Sequence, residues 1–370
     1  MTKASIAVVI AVGISGAVIA LGDAPFFMGL GDLPGGTSDS YAYGISDDGT
    51  TIVGVASSST ALAEAFRWTT EAGMVGLGVL PDSLGDEALG VSPEANVIAG
   101  QWYPRTPAVT FAPLRWTADE GLAGLAPLDP NQPRGRAYGA TDAAVTVGYT
   151  GEYRPVKWGL DAQPIALELP PYYEQGFARA ITPDGSLIVG ATGRPGVWYA
   201  TVWSDQHDVR AICAGVARDV TPDGSVIVGS YEHAWRWTEE DGRVYLGWLL
   251  DPSETNTARA VSADGSVAVG WARDGSAEAA FIWESLGSMR SLPEVLENDY
   301  GLDLTGWELL RAYDISADGR TIVGVGIHDG HHEAWSAHIP EPSCVWLMAI
   351  AAASQLRRRQ HVVSSGRIRL

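Results

Sequence analysis

Lysine and cysteine are almost missing from this 370-residue chain: the cysteines are Cys213 and Cys344, the lysines Lys3 and Lys157. Two cysteines cannot build a disulfide framework, so stability has to come from a hydrophobic core. A hydrophobic content of 46% allows one. Cys213, in "AICAG", reads as a small buried strand residue. Positive charge is scarce as well, with 24 Lys+Arg against 44 Asp+Glu and a formal charge of −20. Residues 25–339 alone hold 18 basic and 42 acidic side chains. So acidic a body repels phosphate backbones, which argues against nucleic acid as a partner. Catalytic motifs are equally rare. No G-x-S-x-G elbow, glycine-rich phosphate loop or H-E-x-x-H pair occurs, so the sequence points to no catalytic residue, cofactor or metal. The one cluster of metal-ligand type, "IHDGHHEAW" (327–335) with His328, His332 and Glu333, reads as a solvated turn.

The two ends are written differently from the body. Residues 1–24 carry one lysine, then an uncharged and mostly apolar run from Ala4 to Gly22, with small residues near Gly22 and Ala24. This is the pattern of a secretory signal peptide, an uncleaved anchor being the alternative. At the other end stand Pro340-Glu341-Pro342, the apolar run "CVWLMAIAAASQL" (344–356), the cluster Arg357-Arg358-Arg359 and a tail, 360–370. Thirteen helical residues cover about 20 Å of a hydrocarbon core roughly 30 Å thick, so transient membrane contact with a positive stop behind it is the expectation. The expected location is the cell envelope, cell surface or extracellular space.

What fills the body is repetition. "ITPDGSLIVG" (181–190) returns as "VTPDGSVIVG" (220–229), "VSADGSVAVG" (261–270), "ISADGRTIVG" (315–324) and "ISDDGTTIVG" (45–54), with worn copies ending at Gly100 and Gly148. Pro-Asp-Gly between apolar, β-branched flanks is hairpin punctuation, with the glycine in a left-handed position. Twelve residues before the final glycine, eleven in the third unit, stands an alanine: Ala42, Ala88, Ala137, Ala178, Ala217, Ala258 and Ala312. Each phrase is followed by a strand with a tryptophan, as in "AFRW" (65–68), then by another apolar strand; the seventh unit has Ala337 at the tryptophan position. Four strands in each of seven units predict an all-β, seven-bladed propeller of four antiparallel strands per blade. The chain starts with a fourth strand (27–33) and ends with a third (333–339), so an N-terminal strand paired with C-terminal strands would close the ring.

The unit that runs from "LGDLPGGTSDSYAYGISDDGTTIVG" through "EAFRW" resembles the HAF-repeat family of bacterial extracellular proteins, with Glu64-Ala65-Phe66 where that family often has His-Ala-Phe. The stretch 296–324 resembles the terminal unit of members with sorting tails. Residues 340–359 resemble the PEP-CTERM sorting signal of exopolysaccharide-producing bacteria. That resemblance implies that Pro340, Glu341 and Pro342, followed by Arg357, Arg358 and Arg359, are read by an exosortase-type processing protease. The HAF resemblance implies location and fold for residues 25–339, and no activity.

Spacing within the units shows where a ligand would bind. The inner hairpin is constant, whereas the gap from its glycine to the tryptophan strand runs from 5 residues (229 to 234) to 13 (100 to 113), and the stretch from the tryptophan to the next alanine from 14 (203 to 217) to 29 (283 to 312). Both variable connections emerge on one face of the ring, the expected place for function. That face carries Trp102, Tyr103, Tyr172, Tyr173, Trp198 and Tyr199, with Arg105, Arg154 and Arg194 nearby. Aromatic faces beside arginines suit sugar rings; capping of the blades is the bland alternative. The expectation is a non-enzymatic binding or structural module associated with extracellular polysaccharide. The alternatives are a glycan hydrolase or lyase working through paired carboxylates, and a structural protein without a ligand.

Overall fold

The repeated phrase folds into a hairpin for local reasons. Asp184 accepts hydrogen bonds from the Thr182 hydroxyl (2.6 Å), the Ser186 N–H (3.0 Å) and the Ser186 hydroxyl (2.8 Å). Thr182 Oγ1 accepts in turn from the Leu187 N–H (3.0 Å). Gly185, at φ +75°, closes the turn by donating to the Thr182 carbonyl (2.8 Å). Asp48, Asp223, Asp264 and Asp318 repeat the arrangement, so each aspartate is occupied by its own turn. The worn copies make the same turn without glycine. Ala95 and Ala144 take the left-handed position, at φ 59° and 58°, each at about 1–2 kcal/mol.

The computed structural model describes residues 24–106, 109–204, 208–249, 253–275 and 277–340. The expected signal peptide up to Asp23, Glu341, Pro342, the three arginines and the tail lie outside them. Seven four-stranded sheets form a seven-bladed propeller. From axis to rim, the first blade runs Ser40–Ile45, Thr51–Ala56, Glu64–Thr69 and Gly73–Gly76. The next five have inner strands Ser83–Val91, Gly135–Ala140, Gln175–Ile181, Val216–Val220 and Thr255–Val261. The seventh joins Trp307–Ile315, Thr321–His328 and His331–His338 to an outer strand from the other end of the chain, Phe26–Gly29. That strand is shorter and earlier than the expected 27–33. It ends where Leu30 N–H meets the Ala334 carbonyl (2.8 Å), and the Ser40 hydroxyl bridges Gly31 O and Ala334 N across the seam. The all-β expectation needs one addition, a helix at Leu292–Asn298. Its Leu292, Val295 and Leu296 fall at i, i+3 and i+4 and are buried between the sixth and seventh blades.

The core is a series of layers between blades. Val97 and Ala99 of the second blade, for example, pack on Ala137, Val156 and Trp158 of the third. Trp68, Trp158, Trp203 and Trp237 are buried in these layers. Trp158 and Trp203 donate their indole N–H to carbonyls leaving the preceding outer strand, Ala126 (2.7 Å) and Glu168 (2.6 Å). All seven repeat alanines are fully buried, as crowding of the inner strands at the axis requires. The glycines that end the phrase are explained by close approach. A Cβ at Gly54, Gly100, Gly148, Gly190, Gly229, Gly270 or Gly324 would lie 1.8–2.1 Å from a carbonyl oxygen of the inner strand.

Candidate functional site

Every blade carries an irregularity in the same place. Pairing between the first two strands slips just after the repeat alanine, as at Ala42/Gly44, Ala178/Ala180 and Ala312/Asp314. The slip is a β-bulge, a device that bends a strand and re-aims one side chain. The residues inserted by the seven bulges are Tyr43, Leu89, Tyr138, Arg179, Arg218, Arg259 and Tyr313. All seven line a channel on the propeller axis, a cavity of about 180 Å³. Ile45, Val91, Ile181 and Val261 line it further along, towards the Pro-Asp-Gly turns.

Three of the seven axial residues are arginines from consecutive blades, and no carboxylate of the described residues forms an ion pair with them. Arg179 lies over the Tyr138 ring at 4.1 Å, and Arg259 lies near Tyr313 (5.4 Å) and Trp271 (5.6 Å). Arg218 Nε donates to the Ser230 hydroxyl (3.2 Å); the buried Nε atoms of Arg179 and Arg259 have no hydrogen-bond partner. Burial, then the charges of Arg179 and Arg259, pushes the Arg218 guanidinium well below its usual range. Burial would raise the Tyr138 phenol, but Arg179 and Arg136 overcome it and hold it low. Guanidinium groups keep their proton in proteins, so the mutual repulsion remains as a cost, which Asp314 offsets in part at Arg259.

Two carboxyl groups share this channel. Asp219 accepts the N–H of Val220 (2.8 Å) on one oxygen and of Val261, in the next blade, on the other (2.9 Å). Asp314 does the same with Ile315 and Ile45 (both 2.9 Å). Burial raises Asp219 to about 6; burial and then the Asp219 charge raise Asp314 to about 8. These groups are fastened to backbone as clamps between blades.

On the variable face a cleft of about 290 Å³ opens between the second, third and fourth blades, lined by Phe111, Tyr149, Tyr153, Phe177 and Trp198 with Arg134, Arg136 and Arg179. Tyr149 and Tyr153 stack at 4.9 Å, and Trp198 meets Phe177 edge-on at 5.0 Å. Arg134 and Arg136 both lie over Phe111, at 4.8 and 4.4 Å. Tyr138 and Arg179, stacked on each other, line both cleft and channel.

Of the six aromatics expected on this face, Trp198 alone lines the cleft. Tyr173 and Tyr199 stack on each other at 5.4 Å, and Tyr172 is exposed with a left-handed backbone. Trp102 lies along Gly124 in its own blade. The Tyr103 hydroxyl donates to Glu87 (2.5 Å). Among the expected arginines, Arg194 is held by the Tyr172 carbonyl (2.9 Å). The cleft instead uses Arg134, Arg136 and Arg179. In the His-rich turn the two imidazoles part company: His328 binds Glu333 (2.7 Å) and stacks on Trp307, whereas His332 stacks on Tyr41. Pro340, the one described residue of the expected sorting motif, accepts a hydrogen bond on its carbonyl from the Tyr300 hydroxyl at 3.5 Å.

No protein-family model and no curated protein matches the chain. Solved structures match its fold. A chain of the mitotic checkpoint complex is 10% identical, with 92% of this chain covering 100% of that one at a TM-score of 0.51. The β-propeller domain of Cps50 (Swd1) from Myceliophteria thermophila is 12% identical, with coverage of 80% and 96% and a TM-score of 0.52. An oligogalacturonate lyase from Vibrio parahaemolyticus is 11% identical, with coverage of 86% and 98% and a TM-score of 0.52. Likeness at these identities carries the propeller fold and nothing finer.

Proposed function

We propose that this protein is an exported, non-enzymatic propeller that binds extracellular polysaccharide through the cleft on its variable face. The supporting observation is the cleft itself, where six aromatic side chains, Tyr138 included, and three arginines converge on one concavity. Sugar rings present apolar faces that stack on aromatics and rim hydroxyls that accept from guanidinium groups, and this lining supplies both. The export reading rests on the apolar run at 4–22 and on the HAF-repeat and PEP-CTERM resemblances, with an exosortase-type protease as processing partner. A glycan hydrolase or lyase is the rival, since a propeller of this form also serves an oligogalacturonate lyase. Against it stands the use of both oxygens of Asp219 and of Asp314 by backbone N–H groups.

The test is calorimetry of the full-length protein against a glycan panel, with mass spectrometry of the soluble fraction. Saturable heat without new products, weakened about tenfold by Trp198→Ala, is the expected result; tenfold corresponds to ~1.4 kcal/mol. New oligosaccharides would establish the enzyme reading. No saturable heat with any glycan would remove the binding reading.

A further inference from the structure

We infer that Arg179, Arg218 and Arg259 form an oxyanion site on the propeller axis, and that the glycan bound in the cleft is an acidic one whose carboxylate enters this ring. The inference rests on the binding reading above and adds the ligand's chemical class. Its first support is placement. Consecutive blades deliver the three guanidinium groups at one bulge position, so they converge, and Arg179 also borders the aromatic cleft. The second support is missing compensation. The chain carries 44 acidic residues, yet none of the described ones forms an ion pair with the three arginines. The two carboxyl groups of the channel are turned to backbone N–H groups and reach Arg259 only through space, and Nε of Arg179 and of Arg259 is buried and unbonded. Arg136 of the adjoining cleft is likewise without an ion pair among the described residues and has a buried, unbonded Nε, whereas other arginines of the fold are paired. Arg311 holds Glu278 through two bonds (2.5 and 2.7 Å) within the same sector. A cluster that only supported the fold would be served by neutral side chains, because burying unpaired like charges costs stability. Guanidinium forks match the planar oxygens of a carboxylate.

Trimannuronate, its neutral counterpart mannotriose and inorganic sulfate serve as probes, titrated into full-length wild type, Arg218→Gln, Arg259→Gln and Trp198→Ala. The expected result is saturable binding of trimannuronate, little of mannotriose, and a loss of roughly 10- to 100-fold in either arginine variant, the range for charge-assisted hydrogen bonds. Without ligand, Arg218→Gln should melt at or above the wild-type temperature, because it relieves repulsion; a merely structural arginine would lower it. Sulfate competing with trimannuronate confirms a shared oxyanion ring, while sulfate binding alone overturns the acidic-sugar assignment. Equal affinity for trimannuronate and mannotriose, or binding untouched by both arginine substitutions, overturns the axial site and leaves the glycan-binding reading standing. Binding lost in Arg218→Gln but unchanged in Trp198→Ala would do the reverse, keeping the ring and removing the cleft.

Discussion

Replacing Gly270 and Gly185 by alanine separates two reasons for which the same phrase needs glycine. At Gly270 a Cβ would lie 1.9 Å from the Thr257 carbonyl oxygen and 2.9 Å from Phe281 Cζ. Carbon normally approaches a carbonyl oxygen to about 3.3 Å, so the first two strands would have to part by about 1.4 Å beside Ala258, which is itself fully buried. Overpacking of about 3 kcal/mol plus one weakened ladder bond of about 1 gives roughly 4 kcal/mol. At Gly185 nothing lies within 4 Å of the added carbon, and φ is +75°. Alanine there bears only the left-handed backbone cost, about 1–2 kcal/mol, offset by up to about 1 through a stiffer unfolded chain. At about 2 °C per kcal/mol for a domain of this size, Gly270→Ala should lower the melting temperature by about 8 °C and Gly185→Ala by about 2 °C. Thermal unfolding followed by circular dichroism, with urea titration as a check, measures both. Equal losses, or a smaller loss at Gly270, would refute the close-approach argument.

Ala95 occupies the left-handed position that glycine holds in the intact copies, so Ala95→Gly should stabilise by about 0.5–1 kcal/mol in urea unfolding. Asp314, raised to about 8 by burial and the Asp219 charge, keeps in the folded state a proton that the unfolded chain releases near pH 4. Stability should therefore fall as pH rises from about 4 to 8, by at most about 1.4 kcal/mol per unit, and Asp314→Asn should flatten that slope; parallel slopes in the two proteins would count against it. Trp203→Phe removes the indole bond to the Glu168 carbonyl and should cost about 2 kcal/mol, more than Trp283→Phe, whose ring is only half buried. Comparing their denaturation midpoints tests whether the tryptophan locks neighbouring blades or only fills space.

Blade number, strand order and ring closure could be read along the chain because each rests on a local rule repeated seven times. Pro-Asp-Gly sets a turn, Ala and Gly keep a fixed separation, and an apolar strand follows a tryptophan strand. Their repetition averages out the worn copies at Ala95 and Ala144, where the backbone follows the ring instead of its own preference. The helix at Leu292–Asn298 was not readable in this way. Its three apolar residues are too few to establish a period, and it occurs in one connection only.

The site was hidden for a different reason. Loop aromatics such as Trp102 and Tyr172 attract notice because they stand in variable connections, but convergence depends on where the backbone aims them. Trp102 turns along its own blade and Tyr172 to solvent. The residues that do converge stand in the constant hairpin, one place after each repeat alanine. Aligned by unit, that position reads Tyr43, Leu89, Tyr138, Arg179, Arg218, Arg259 and Tyr313, variable in identity beside a neighbour that never changes. Strict alternation would send such a residue away from the side its alanine faces and give it no special place. The bulge turns it to the axis instead, and its pairing slip becomes visible only once strand partners are known. Variation at one site of an otherwise fixed repeat is thus the readable trace of a channel-lining ring: the scaffold holds the alanine constant to close the core, and the bulge residue beside it is free to set the chemistry of the channel.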